Sequence, residues 1–326
     1  MAEIGAIRMQ ETGGPSVMAY GTHPLPRPGA DEILVRHEAI GVNFIDTYHR
    51  SGLYTVPLPS GIGLEGAGTV EAVGEAVTDL SVGDRVCYCS GPIGAYADAH
   101  VIKAERAVRM PDWLEADTAA ASLLKGLTAQ YLIRRIHACG PQDTVLFHAG
   151  AGGVGQIAVR WLKALGSRVI ATAGGAEKTA LVRSLGADHV IDYNSEQIAP
   201  AVRAITDGVG VDVVYDGVGK DTWLASLDSL RPRGLMVSFG NASGPVKDVD
   251  LGILSAKGSL FVTRPTLVHY TTGRQMLQEA ADDYFAALES GQVTVAPPAV
   301  YPLAEAVQAH EDLEARRTTG SVILRP

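Results

Sequence analysis

Thr144-Val145-Leu146-Phe147-His148-Ala149-Gly150-Ala151-Gly152-Gly153-Val154-Gly155, running into the helical stretch Gln156 to Leu165, is the segment whose reading decides the fold. Thr144 to His148 reads as a buried strand, and the glycines at 150, 152 and 155 form a Gly-x-Gly-x-x-Gly turn that opens into a helix. Each glycine answers a physical need. The turn is tight, the backbone must approach a pyrophosphate, and the helix must lie close to the strand. The helix start then offers unpaired N–H groups and a partial positive charge to phosphates. A glycine-rich turn alone is often only a turn, but this one sits between a strand and a helix and is followed by further strand–helix units, which points to dinucleotide binding.

Outward from that segment, strands are expected at Arg168 to Thr172, His189 to Ile191, Val211 to Tyr215, Gly234 to Phe239 and Ser259 to Val262. Helical stretches at Glu177 to Leu185 and Asp221 to Leu230 separate them, the pattern of an α/β domain with a doubly wound parallel sheet. Upstream, Ala116 to Leu124 and Thr128 to His137 read as alanine-rich helix. Before Trp113 the texture is different. From Ile33 to Val108 short β segments alternate with glycines, including Ile33 to Val35, Gly68 to Val73 and Arg85 to Cys89. Thr271 to Ser290 has the apolar spacing of an amphipathic helix, and Ser321 to Leu324 returns to β texture, so the tail is expected to rejoin the first domain. Two packed domains with a substrate cleft between them are the expectation.

The composition is compatible with this. The chain has 326 residues, 46% of them hydrophobic and 19% charged, which exceeds one compact core and argues against extensive disorder. No apolar run reaches the length of a bilayer span, and Met1 to Gln10, with Glu3, lacks the basic-then-apolar order of a secretion signal. A cytoplasmic protein is expected. Cys87, Cys89 and Cys139 are too few for a disulfide framework and suit a reducing compartment. The net charge of −9 counts against nucleic acid as the main partner.

Cofactor choice is read at the end of the second strand of the parallel sheet. An acid there bonds the ribose hydroxyl of NAD and repels a 2′-phosphate. This chain has Ile170-Ala171-Thr172-Ala173-Gly174-Gly175, without an acid, followed by Lys178 and, after the third strand, Asp192-Tyr193. NADPH is therefore the expected cofactor, although Lys178 and Tyr193 each also read as an ordinary solvated lysine and a half-buried aromatic.

Gly41-Val42-Asn43-Phe44-Ile45-Asp46, Gly63-Leu64-Glu65-Gly66-Ala67-Gly68-Thr69-Val70, Val82-Gly83-Asp84-Arg85-Val86 and Ala149 to Gly155 together resemble the medium-chain dehydrogenase/reductase superfamily. In its zinc alcohol dehydrogenases a cysteine ligand stands in the place of Asn43 and a histidine ligand in that of Leu64. Their structural zinc needs four closely spaced cysteines, where this chain has only Cys87 and Cys89. No metal is expected. Over nearly the whole chain the closer resemblance is to the zinc-free NADPH:quinone oxidoreductases of the bacterial, zeta-crystallin-like type. It is most specific at Gly41 to Tyr48, Leu124-Lys125-Gly126-Leu127-Thr128, Gly234 to Asn241 and Val262-Thr263-Arg264-Pro265.

That resemblance implies a GroES-like, β-rich catalytic domain over residues 1–125 and 267–326, and a Rossmann NADP-binding domain over 126–266. It places Asn43, Phe44, Asp46 and Tyr48 near the nicotinamide, and Tyr131, Gly152, Gly153 and Val154 along the nucleotide. Gly174, Gly175, Lys178 and Tyr193 fall at the 2′-phosphate, with Gly217, Phe239, Gly240, Asn241, Arg264, Pro265 and Arg316 as further contacts. Gly217 stands where relatives commonly have serine, and Gly175 lacks a hydroxyl in the phosphate loop; both are expected to weaken NADP discrimination without reversing it. A homodimer pairing the edge strand Ser259 to Val262 across a two-fold axis is also implied.

Without zinc, the acceptor must take hydride without a strong Lewis acid, and a quinone does so because its carbonyls are conjugated and its product is aromatic. Asn43 and Tyr48 are the candidate donors to the developing oxyanion, with Asp46 a third catalytic candidate. Tyr48 also reads as a core aromatic and Asp46 as a residue fixing a turn; His148 reads as structural. Two other functions stay open: reduction of an activated carbon–carbon double bond in an enone or enoyl thioester, and a non-catalytic NADPH-binding role, crystallin-like or RNA-binding.

Overall fold

A computed structural model describes residues 2–315 and 317–326. The chain begins with strands β1 (Glu3–Met9), β2 (Met18–Pro24) and β3 (Glu32–Val42), helix α1 (Phe44–Ser51), then strands β4 (Glu65–Val73), β5 (Arg85–Tyr88), β6 (Ala99–Lys103) and β7 (Val108–Arg109). Helix α2 (Ala116–Gln130) runs into a π-helical segment, Tyr131–Ile136. Alternation follows: β8 (Thr144–Phe147), α3 (Gly153–Ala164), β9 (Arg168–Ala173), α4 (Ala176–Ser184), β10 (His189–Asp192), α5 (Ile198–Ile205), β11 (Val211–Asp216), α6 (Trp223–Ser229) and β12 (Leu230–Ser238). The chain closes with α7 (Gly252–Ala256), β13 (Phe261–Thr263), α8 (Leu267–Tyr270), α9 (Gly273–Glu289), β14 (Ala299–Pro302), α10 (Ala306–Glu314) and β15 (Val322–Arg325).

Two compact units emerge. One comprises the segment up to Lys125, Thr272–Ala281 and Val295–Pro326; the other comprises Gly126–Thr271 and Asp282–Thr294. The first holds a seven-stranded sheet in the order β14-β15-β3-β4-β5-β7, with β6 also paired to β3, and the hairpin β1–β2. Strand β3 shows how its core is built. Ile33 and Val35 enter the main core while Leu34 enters a smaller cluster with Ile4, Ala6, Ala97 and Ala99. A register shift between His37 and Ala39 then exchanges the two faces, so Ile40 and Val42 join Ile33 and Val35 on the same side.

The region read as short β segments punctuated by glycine also contains α1. Asp46 accepts the Asn43 backbone N–H at 2.8 Å, which caps that helix start.

The second unit is a six-stranded parallel sheet in the order β10-β9-β8-β11-β12-β13. This is the doubly wound order, with its switch point between β8 and β11. Leu146, Ile170, Ile191, Val214 and Met236 form a core on one face with Val202 and Leu227. Val145, Phe147, Val213 and Tyr215 are buried as well, which is why these strands read as continuous apolar runs. Tyr284 of α9 belongs here, packing on Trp161 with ring centroids 6.2 Å apart. The last strand begins at Phe261 rather than Ser259, because Ser259 has φ 56°, a left-handed conformation that strands exclude.

At the carboxyl end of β11, Asp216 is fully buried and accepts four hydrogen bonds. Val218 and Gly219 N–H reach Oδ1 at 2.8 and 3.0 Å, and the Thr222 and Ser226 hydroxyls both reach Oδ2 at 2.7 Å. Ser226 Oγ therefore accepts from His148 Nε2 at 3.0 Å, and His148 Nδ1 faces the Thr172 hydroxyl at 3.1 Å. One carboxylate thus ties the ends of β8, β9 and β11 together. Asp216→Ala is expected to lower unfolding free energy by about 3 kcal/mol in urea titration, since four buried donors lose their acceptor; a loss below about 1 kcal/mol would show that water replaces it.

Candidate functional site

In the first unit the site grows from the end of β3. Asn43 is extended (φ −133°, ψ 154°), and α1 begins immediately after it. Across from it Glu65 opens β4 with no exposure at all. Glu65 Oε1 accepts Leu124 N–H and Oε2 accepts Asn43 Nδ2–H, each at 2.7 Å. Lys125 Nζ donates to Asn43 Oδ1 at 2.7 Å and stands 3.7 Å from Glu65 Oε2. Burial pushes the Glu65 carboxyl up, and the Lys125 ammonium opposes that. Gly41 makes the arrangement possible: a Cβ there would collide with the Ala120 carbonyl and the Glu65 carboxylate.

Asp46 lies one helical turn into α1, wholly buried. Its Oδ2 accepts Asn43 N–H and the Tyr96 hydroxyl, the latter at 2.9 Å, while Oδ1 has no partner among the described residues. Burial raises its pKa from 3.8 to about 7. Behind Tyr96, His310 Nε2 lies 3.0 Å from the phenol oxygen and His310 Nδ1 lies 3.0 Å from Arg50. Arg50 in turn forms a two-pronged pair with Glu314 at 2.9 and 2.8 Å. A guanidinium only donates, so His310 Nδ1 accepts and Nε2 carries the proton given to Tyr96. Burial and Arg50 hold the imidazole neutral, down to about 3. Tyr48 is half-buried, edge-on to Tyr54 at 5.3 Å, and Phe44 is exposed.

Of these residues, Asn43, Phe44, Asp46 and Tyr48 were expected in the site. Glu65, Lys125, Tyr96 and His310 were not. One signal existed for Lys125: it is the only charged residue between Asp117 and Arg134, in a helix rich in alanine and leucine.

In the second unit the loops leaving the parallel strands carry the expected nucleotide residues. Ala149 has φ 53°, and Gly152 caps α3, with Gly153 and Val154 in its first turn. A Cβ on Gly155 would strike the Ala149 carbonyl and lie 2.8 Å from Gly150 Cα, so helix and turn meet only through glycine. At the next loop, Asp192 Oδ1 accepts Gly175 N–H and Asn194 N–H, both at 3.0 Å, and the Tyr193 ring packs over Gly174. Lys178 is in the first turn of α4. The loops after β11 and β12 are joined: Phe239 N–H reaches the Asp216 carbonyl at 2.8 Å, and Ser243 N–H the Val218 carbonyl at 2.8 Å. Gly217 sits beneath Phe239, where a serine Cβ would lie 2.9 Å from the ring. Gly240 and Asn241 follow, and Arg264, just before Pro265, donates to the Ser238 carbonyl at 2.9 Å. Tyr131 stacks on Tyr270 at 4.8 Å with the planes 14° apart. Arg316 lies outside the described residues.

His148, engaged at both nitrogens, is the structural histidine the sequence suggested. Cys87, Cys89 and Cys139 are free and buried, and burial pushes all three thiols up. Among the described residues no three His, Cys, Asp or Glu side chains gather as metal ligands, and no helix is long and apolar enough to cross a membrane.

A parallel sheet in doubly wound order in one unit, with a GroES-like β unit in the same chain, defines a medium-chain dehydrogenase/reductase. Residues 29–112 match the family described as alcohol dehydrogenase GroES-like domain, and residues 153–287 match the zinc-binding dehydrogenase family. The chain is 53% identical to a quinone oxidoreductase of Pseudomonas aeruginosa, covering 98% of this chain and 99% of that one. It is 44% identical to the 2-haloacrylate reductase of a Burkholderia species, covering 99% of each. The solved structure of Escherichia coli quinone oxidoreductase complexed with NADPH matches with TM-score 0.97 and 48% identity over 100% of both chains. The chain belongs to the quinone oxidoreductase family of this superfamily.

Asp46 gives a test by titration. Unfolded Asp46 ionises near 3.8, whereas the folded carboxyl holds its proton to about pH 7. Between those values the native state binds more protons than the unfolded state, so this group destabilises the fold as pH rises through the window. Asp46→Asn removes that slope. Its stability relative to the wild type is expected to rise from about pH 4 to about pH 7 and then level off, by at most about 1.4 kcal/mol per pH unit. Parallel urea-unfolding curves across that range would contradict the assignment.

Proposed function

We propose that this chain is an NADPH-dependent quinone reductase working without catalytic zinc. The carrying observation is its full-length likeness to quinone oxidoreductases, among them one whose structure holds NADPH. NADPH, when bound, supplies the hydride.

The residues present fit that cofactor. The turn from Gly150 to Gly155 packs against the start of α3 so closely that a Cβ at Gly155 would meet the Ala149 carbonyl, and the N–H groups at that helix start suit a pyrophosphate. The turn at Gly174 and Gly175 carries no acid, and the nearby Asp192 carboxylate is engaged by two backbone N–H groups. Lys178 and Tyr193 flank that turn and are assigned to the 2′-phosphate. Gly217, Phe239, Gly240, Asn241, Arg264, Pro265 and Tyr131 are assigned along the nucleotide, and Asn43, Phe44 and Tyr48 toward the nicotinamide and acceptor.

Zinc does not fit. Asn43 offers an amide whose oxygen is already taken by an ammonium, and Leu64 offers no donor. Hydrogen bonding must then polarise the acceptor. Asn43 Nδ2 has two N–H bonds, one given to Glu65, and the Tyr48 phenol is the other donor. Asp46 fixes the start of α1 through Asn43, and once ionised, above about pH 7, it would oppose a growing negative charge nearby.

The likeness to a 2-haloacrylate reductase supports a second reading, reduction of an activated double bond. NADPH oxidation with a quinone series and an enone series at matched concentrations separates the two. Quinones are expected to react with kcat/KM about tenfold or more above enones, and no turnover with any quinone would end the first reading.

A homodimer belongs to the same proposal. Strand β13 is the sheet's edge, with Phe261 62% and Val262 37% exposed, and a second copy pairing there would cover both. Light scattering at micromolar concentration is expected to give twice the chain mass, and Phe261→Asp to shift it toward the monomer; a monomeric wild type would refute the pairing.

A further inference from the structure

The Lys125 ammonium is held in a way that neutralising Glu65 does not explain. It has three N–H donors. One meets Asn43 Oδ1 at 2.7 Å, whereas the Glu65 carboxylate is 3.7 Å off, beyond hydrogen-bond reach. Glu65 has its own short donors in Leu124 N–H and Asn43 Nδ2–H. A lysine serving only as counter-ion would be drawn into contact with the carboxylate. Here an amide holds it off, and the ammonium keeps donors uncommitted to any described residue. The Lys125 side chain also retains 8% exposure while Glu65 has none, so of this pair only the cation remains reachable.

From this geometry we infer that Lys125 is a catalytic residue of quinone reduction, donating a hydrogen bond to the acceptor oxygen on which negative charge develops. The inference rests on the quinone-reductase reading above. Asn43 stands where zinc relatives carry a cysteine ligand, so the cation lies beside the position from which a metal would act. An ammonium in a dry, preorganised setting supplies the same kind of charge stabilisation without a Lewis acid. Asn43 aims it, and Glu65 keeps the local charge near balance so that the cation is retained. The lysine contributes charge and a hydrogen bond only; no bond to it forms or breaks, and the electrons come from the cofactor.

The test uses binding as well as turnover. The anion of a hydroxynaphthoquinone is titrated into the protein without NADPH, followed by its absorbance change. Lys125→Met is expected to weaken binding about tenfold or more, and Lys125→Arg, which keeps the charge, to retain most of it. For a neutral quinone, kcat/KM is expected to fall about a hundredfold in Lys125→Met. Because Lys125→Met leaves Glu65 without its cation, the pair Lys125→Met with Glu65→Gln is measured alongside, with thermal unfolding of each. The doubly substituted protein is expected to unfold near the wild-type temperature and still to bind the anion weakly. Wild-type affinity and turnover in that folded double variant would overturn the role of Lys125 while leaving the quinone-reductase reading intact. A wild type that binds the anion but reduces no quinone would remove the reading and the inference together.

Discussion

A carboxylate with no access to water, Glu65, is the constraint around which the site in the first unit is organised. Removing such a group from water costs several kcal/mol, and the cost is offset only if its lone pairs are filled and a cation lies near. Its three partners come from two places: the Asn43 amide at the junction of β3 and α1, and the Leu124 N–H and Lys125 ammonium of α2. Satisfying one carboxylate at the start of β4 therefore ties that strand to the β3–α1 junction and to α2. The close approach of β3 is conditional on Gly41, whose missing Cβ leaves the space that the carboxylate occupies. The bulge in β3 belongs to the same design, since it returns Ile40 and Val42 to the core just before the chain must present Asn43.

The second unit solves a similar problem differently. Asp216 is as buried as Glu65, but its four donors are two backbone N–H groups and two hydroxyls, with no cation among them. Neutral donors suffice because all of its acceptor capacity toward the loop is filled. The consequence is positional. The loop after β11 is folded back on Asp216, the loop after β12 is bonded to it, and His148 and Thr172 link the same knot to the glycine turn after β8. The residues proposed for the nucleotide thus lie on a hydrogen-bonded rim at the carboxyl ends of parallel strands, where doubly wound sheets bind ligands.

How much of this was legible follows from how local each feature is. The strand, turn and helix from Thr144 to Leu165 were readable because the determinants are contiguous, and the parallel order follows from alternation. The start of β13 was misplaced because composition does not reveal that Ser259 adopts a left-handed backbone. Helix α1 lay unread among the short β segments, and its start is set by a cap. The Glu65–Lys125 pair is separated by sixty positions and the Tyr96–His310 pair by 214, so only the fold joins them. Quinone specificity was legible only through family resemblance, since no residue type is diagnostic of a conjugated acceptor.

The chain of hydrogen bonds from Glu314 through Arg50, His310 and Tyr96 to Asp46 looks like a proton conduit, yet its direction argues against that role. Conduction would require His310 to receive a proton at Nδ1 as it gives one from Nε2. Among the described residues the group at Nδ1 is Arg50, which does not release its proton in proteins. The chain is therefore a one-way scaffold: Arg50 sets the His310 tautomer, the tautomer makes Tyr96 a donor, and Tyr96 with Asn43 N–H holds Asp46. Its effect is to fix the first turn of α1, and with it Asn43, from behind. Read this way, Asp46 and Lys125 act on the same amide residue from opposite sides, one through its backbone and one through its side chain. That division explains why two costly buried charges and a neutral histidine converge on a single asparagine.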